Sequence, residues 1–183
     1  MEQLIARLRA IPAYRALVRA LEGGTTRVCL EQTPVAATAA LVAGIRRDLE
    51  RTVVVVLPEL ASAEAEIRRL LGFCGVDAGQ ADSPIALLPG DYAGLYGPVG
   101  TEPESVADRI VALQRMRAGR PIVVAATLEG LLRACPPPRA LGGHRELRVA
   151  EAADRDELVN WLAHMGYLRE ELVSSPGQYA VRG

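Results

Sequence analysis

At 183 residues, 50% of them hydrophobic and 23% charged, the chain has the composition of a folded protein with one sizeable core and room for part of a second. A formal net charge of −1 excludes global attraction to nucleic acid or to an anionic membrane, so an anionic partner must be met by a local cluster of cations. Those cations are all arginine, because the 21 residues counted as Lys and Arg include no lysine, and no apolar run approaches the ~18 to 20 residues of a membrane span.

The first ten residues alternate charge with apolar side chains and lack the h-region of a signal peptide. Cys29, Cys74 and Cys135 are odd in number and form no C-x-x-C. Structural thiols in a reduced, cytoplasmic protein are the expectation. His144 and His164 are too isolated to build a metal site with those cysteines, so neither a metal nor a cofactor is expected.

In chain order, Leu4, Ile5, Leu8 and Ile11, then Leu17, Val18 and Leu21, repeat at helical spacing on either side of Pro12. They predict two short helices ended by Gly23-Gly24. Arg27–Leu30 reads as a short strand, and Val35, Thr38, Leu41, Val42, Ile45 and Leu49 mark one face of the following helix. Thr52–Leu57 is a continuous β-branched run, the pattern of a parallel strand covered on both faces. A helix over Ala61–Leu71, a strand over Pro84–Leu88 and a helix marked by Val106, Ile110 and Leu113 follow, the last opened by the capping box Thr101-Glu-Pro-Glu104. Arg120–Ala126 is a fourth strand, with a short helix through Leu132 after it. The fold class is therefore α/β, a parallel sheet with helices on both faces.

Pro136-Pro-Pro138 and Gly142-Gly143 interrupt this order. Beyond them Arg145–Val149 alternates polar with apolar, Asp154 and Glu157 form a capping box on a helix through Met165, and Gln178–Arg182 alternates again. Residues 1–138 form the α/β domain, and residues 139–183 the start of a small α+β module, which reads as truncated because it ends on a strand.

The junction Thr33-Pro-Val-Ala-Ala-Thr38 occupies the place of a phosphate loop without its chemistry. A phosphate loop needs glycine so that backbone N–H groups can approach the phosphates, and lysine as a point charge. Pro34 removes a donor, Val35, Ala36 and Ala37 carry Cβ atoms, and Thr33 and Thr38 bracket no glycine. Tight ATP binding and hydrolysis are not expected.

Among other constellations, Tyr92 and Tyr96 lie in a loop after the third strand, where they serve as stacking groups or pack against the sheet. Glu64 and Arg68 are spaced for an i,i+4 pair on a solvated helix face, and Asp108 with Arg109 reads the same way. Trp161, Leu158, Leu162 and Met165 fit the core of the small module. Arg169 and Arg182, in or beside extended segments, suit either bidentate pairing with a partner's carboxylates or plain solvation. No catalytic nucleophile or acid–base pair can be assembled.

The order of elements, with the phrases Val54-Val-Val-Leu-Pro58, Leu87-Leu-Pro89, Asp108–Leu113, Ile122–Leu128 and Arg155–Leu158 leading through Met165-Gly-Tyr167 to Gly177–Gly183, resembles the N-terminal region of bacterial transcription-repair coupling factors. That region is itself similar to the start of excinuclease B (UvrB). The resemblance runs from about Val28 to the end of the chain. It implies a degenerate, helicase-like α/β domain that hydrolyses no ATP, and a small domain that recruits excinuclease A (UvrA) through arginines meeting acidic groups. Arg182 and Arg169 match two interface arginines of that pattern, whereas Ala180 stands where a third arginine would be. RNA polymerase and DNA would be met only through other parts of the parent protein, an ATP-dependent translocase acting in nucleotide excision repair. The alternatives are a nucleotide-dependent enzyme domain and a DNA-binding domain like that of excinuclease B; missing lysine and near-neutral charge speak against them respectively.

Overall fold

The computed structural model describes residues 2–74, 83–90, 103–141, 143, 145 and 147–182. Its centre is a parallel sheet in the order β1-β3-β2, with β1 at Val53–Leu57, β2 at Ile85–Leu88 and β3 at Val123–Thr127. Val123 of β3 stands in register with Val53 on one side and Ile85 on the other. All five residues of β3 are buried, which explains why Val-Val-Ala-Ala-Thr is apolar without alternation: neither face meets water.

Alternation along the strands divides the core into two layers. Val53, Val55, Ile85 and Val123 face one side and pack with Ala39, Val42 and Ala43 of α3 (Val35–Leu49) and with Ile67 and Leu70 of α4 (Leu60–Cys74). Ala86, Leu88, Val124 and Ala126 face the other side, against Ala112, Leu113 and Met116 of α5 (Pro103–Arg117). Helices thus cover both faces, as the sequence predicts.

Three expectations are corrected. Among the described residues the sheet has three strands rather than four, because the segment from Arg27 to Leu30 is irregular, with Val28 and Leu30 exposed. Only Val28 in that segment is β-branched, and Gln32 turns the chain away with φ 55°. Cover on both faces holds for β3 and fails for β1, where Val54 and Val56 are exposed, because α5 packs on β2 and β3 alone. On α5 the stripe toward the sheet is Arg109, Ala112, Leu113 and Met116; Val106 and Ile110 look outward. Thr101 of the predicted capping box lies outside the described residues, as do Tyr92 and Tyr96.

Two helices, α1 (Glu2–Ala10) and α2 (Pro12–Glu22), clamp α3 from outside. Buried Tyr14 donates its phenol to Asp48 Oδ2 at 2.8 Å, and Arg9 Nε donates to Oδ1 at 3.1 Å. A Cβ at Gly44 would lie 2.6 Å from the Tyr14 oxygen, so glycine is what lets the helices approach. The Arg9 hydrogen bond, with help from Tyr14, holds Asp48 below the usual carboxylate range. Burial pushes the Tyr14 phenol up.

After β3, Thr127 caps α6 (Leu128–Leu132) by accepting from the Gly130 N–H at 3.0 Å. Gly130 rests on the backbone leaving β2: an added Cβ would meet the Leu88 carbonyl oxygen and come within 2.9 Å of Pro89. Beyond a 3₁₀ turn at Pro138–Leu141, the small module holds α7 (Arg155–His164), β4 (Leu168–Arg169) and β5 (Gln178–Tyr179), the two strands pairing in parallel. Asp154 caps α7 as expected, its Oδ1 accepting from the N–H groups of Asp156 and Glu157 at 2.9 Å each. Gly166 and Gly177 carry φ of 86° and 85°, the left-handed region that favours glycine, at the turns into the two strands.

Both close contacts can be tested by substitution. Gly130→Ala gains at most about 1 kcal/mol of helix propensity, whereas its methyl meets unyielding backbone, a clash costing about 1 to 3 kcal/mol. Thermal denaturation should therefore show a lower melting temperature, and an unchanged or raised one would refute the close approach. Because Asp48 is depressed in the folded state, its contribution is fully present above its unfolded pKa of ~4 and is lost as pH falls through the folded value. Asp48→Asn should lower the melting temperature at pH 7, and the loss should shrink as pH falls below ~4; a loss independent of pH would contradict the charge-based role.

Candidate functional site

Two regions compete for function: the carboxyl ends of the strands, where α/β folds place ligands, and the exposed face of the small module. At the first, the guanidinium of Arg109 fills the space between loops. Arg109 is 5% exposed and points from α5 into the exits of β2 and α6. Its Nη1 donates to the carbonyls of Gly130 at 2.7 Å and Pro89 at 3.2 Å, and its Nη2 to the Arg133 carbonyl at 2.9 Å and the Cys135 sulfur at 3.6 Å. The solvated-face reading of Asp108 and Arg109 is thus corrected. Asp108 alone faces out, and partial burial lifts its carboxyl above the usual range, with Glu104 and Glu64 adding to the effect. The signal for Arg109 is present in the sequence, since it precedes buried Ala112 by three residues and Met116 by seven, along one helical stripe.

The junction at the start of α3 offers no phosphate cradle. Thr33 is exposed, Pro34 sits at the N-cap with φ −60° and ψ 139°, and no side chain caps the helix. Val35 and Ala36 open the helix, and the Ala37 N–H is taken by the Pro34 carbonyl at 2.8 Å. Ala37 and Thr38 are half-buried. Glu64 and Arg68 are both exposed, on the solvated helix face expected for them, while Glu66, 2% exposed, accepts from Arg69 at 2.9 Å.

The second region is built from β4 and β5. Arg169 stands in register with Tyr179, and Arg182 follows three residues after Tyr179, beyond the end of β5. Both arginines are exposed, and among the described residues neither forms an ion pair. Beside Arg169, Leu168 is 63% exposed, Leu172 69% and Val173 50%. Gln178 shapes the connection between the strands, its Oε1 accepting from the N–H groups of Ser174 at 2.9 Å and Ser175 at 3.1 Å. Leu168, Leu172 and Val173 are additions to the site, and their signal is apolar character flanking a cation on an extended segment.

Trp161, Leu158 and Leu162 are half-buried rather than forming a closed core, and Met165 is exposed. Trp161 and Met165, with Val106, Ile110 and Tyr167, line a groove of about 510 Å³ between α5 and the small module. Cys29 and Cys135 are exposed and Cys74 half-buried; of the exposed pair, Cys135 still accepts from Arg109. Burial pushes the Cys74 thiol up. No group of three or more metal-ligating side chains occurs among the described residues, and none of their helices is long and apolar enough to cross a membrane. His144 lies outside the described residues.

Comparison with known proteins bears on the second region. Residues 146–183 match the family model of the UvrB interaction domain. The chain is 34% identical over 82 residues to the transcription-repair-coupling factor of Staphylococcus aureus and 30% identical over 82 residues to that of Bacillus subtilis. Each match covers 44% of this chain and 7% of the relative, so the chain spans a small part of those proteins' length. The chain resembles transcription-repair-coupling factors, and its last 38 residues resemble an interaction domain of excinuclease B.

From the α3 junction, no magnesium-dependent ATP turnover is expected. Phosphate release that scales with protein concentration across independent preparations would overturn this.

Proposed function

We propose that this chain is a non-catalytic, N-terminal interaction module of a transcription-repair coupling factor, and that residues 139–183 dock excinuclease A. The observation that carries the proposal is the coincidence of the UvrB interaction domain match at residues 146–183 with the exposed arginines and exposed apolar side chains in and beside β4 and β5. Arg182 and Arg169 present planar guanidinium forks, suited to bidentate pairing with carboxylates. Leu168, Leu172 and Val173 supply apolar area that excludes water around those pairs, which raises the value of each charge contact. The α/β domain of residues 1–138 acts as a scaffold, a degenerate relative of repair-helicase domains. RNA polymerase and DNA are engaged by other parts of the parent protein, so the module's task is recruitment of the repair machinery.

Arg182→Ala should weaken binding to purified excinuclease A at least tenfold. A charge contact desolvated at an interface is worth ~2 to 5 kcal/mol when truncated, and each ~1.4 kcal/mol is a factor of ten. Circular dichroism and melting temperature should stay unchanged, because the side chain is exposed. Arg182→Lys should restore binding only in part, since an ammonium lacks the planar fork. Equal affinities for the wild type and Arg182→Ala would rule this residue out of the interface.

A further inference from the structure

Residues 2–22 carry four arginines, at positions 7, 9, 15 and 19, against two glutamates, in a chain whose net charge is −1. All four arginines are exposed. Three of them, Arg9 from α1 and Arg15 and Arg19 from α2, line a cleft of about 290 Å³ together with Tyr14, Val18 and Asp48. Arg9 pairs with Asp48, whose other oxygen accepts from the Tyr14 phenol, so that carboxylate is already answered. Among the described residues neither Arg15 nor Arg19 forms an ion pair, and Arg19 Nε reaches only the Arg15 carbonyl, at 3.4 Å.

Arg15 and Arg19 stand four residues apart on α2, about 6 Å along its axis, with half-buried Val18 between them. Like charges at that spacing repel, and a carboxylate brought to each guanidinium turns the repulsion into two attractive contacts of matching planar geometry. A single exposed pair is worth little, so recognition needs two acids held on one segment. In an extended chain, side chains two apart share a face and lie about 6.6 Å from each other, close to the spacing of the two arginines. We propose that this cleft docks an extended acidic protein segment whose carboxylates, two residues apart, pair with Arg15 and Arg19 while its backbone lies across Val18. Nucleic acid fits less well, because phosphate binding at physiological salt draws on many cations and this face offers Arg7, Arg15 and Arg19. The cleft shares no residue with the β4–β5 face, so the inference stands or falls independently of the docking reading.

The test uses the whole isotope-labelled chain, titrated at constant ionic strength with a short peptide of alternating Glu and Thr, with the same peptide carrying Gln for Glu, and with a duplex oligonucleotide of equal charge. Saturable amide shifts centred on residues 14–19 are expected with the Glu peptide and not with the Gln peptide. Arg15→Gln combined with Arg19→Gln should weaken that binding at least tenfold and leave the melting temperature unchanged, because both side chains are exposed. Arg169→Ala combined with Arg182→Ala should leave the shifts on α2 in place, which separates this cleft from the docking face. The proposal is overturned by shifts confined to residues 167–182, by α2 shifts that persist in the Arg15 and Arg19 double variant, or by no saturable response. A stronger α2 response to the oligonucleotide would overturn it in favour of nucleic acid, and α2 shifts that grow with protein concentration alone would overturn it in favour of a second copy of the chain.

Discussion

The buried guanidinium of Arg109 is the interaction on which the α/β domain's architecture turns. A cation that is 5% exposed needs several strong acceptors to offset its desolvation, and here the acceptors are main-chain carbonyls of Pro89, Gly130 and Arg133. Those carbonyls belong to the exits of β2 and α6, so one side chain ties α5 to two crossovers of the sheet. Truncating it would strand the buried Pro89 and Gly130 acceptors at about 1 to 3 kcal/mol each, and the half-buried Arg133 carbonyl with them. The glycine at position 130 serves the same junction by letting α6 rest on the β2 backbone. In a nucleotide-binding α/β domain this end of the sheet is kept open for a ligand. Here backbone and arginine occupy the space among these loops.

The small module is organised on the opposite principle. None of the residues of α7 is fully buried, and its strands contribute two residues each. Local devices hold it: the Asp154 cap, the left-handed glycines 166 and 177, and the Gln178 bridge to Ser174 and Ser175. Such a unit has little apolar burial to lock its outer face, and segments of low local stability are where binding surfaces are drawn from. Apolar side chains at 168, 172 and 173 that a core would have claimed remain on the surface beside Arg169. A partner that covers them would gain the burial the module itself forgoes.

Most of the fold is legible in the sequence because its signals are local. Residues 123–126 fall within the strand read over Arg120–Ala126, Pro12 separates two helices, and Asp154 announces a cap. What escapes depends on contacts between distant segments. Whether Val54 and Val56 are covered is decided by where α5 lands, which β1 cannot encode. The segment from Arg27 to Leu30 holds a single β-branched residue, and the turn at Gln32 leads the chain away, so a short apolar phrase there does not become a strand. Arg109 passes for a surface charge because arginine is so seldom fully buried, although its stripe with Ala112 and Met116 points inward. The site arginines at 169 and 182 are legible only as candidates, since composition cannot separate a docking cation from a solvated one. The exposed leucines and valine at 168, 172 and 173 favour docking.

The account's central claim is that binding belongs to the small module while the sheet is a scaffold. Amide hydrogen exchange of the whole chain, measured with and without excinuclease A, tests it most directly. Exchange across residues 167–182 should slow on addition of the partner, while the amides of Val53–Leu57 and Val123–Thr127 keep their rates. Protection centred on the sheet, or no change anywhere at saturating partner, would contradict the account.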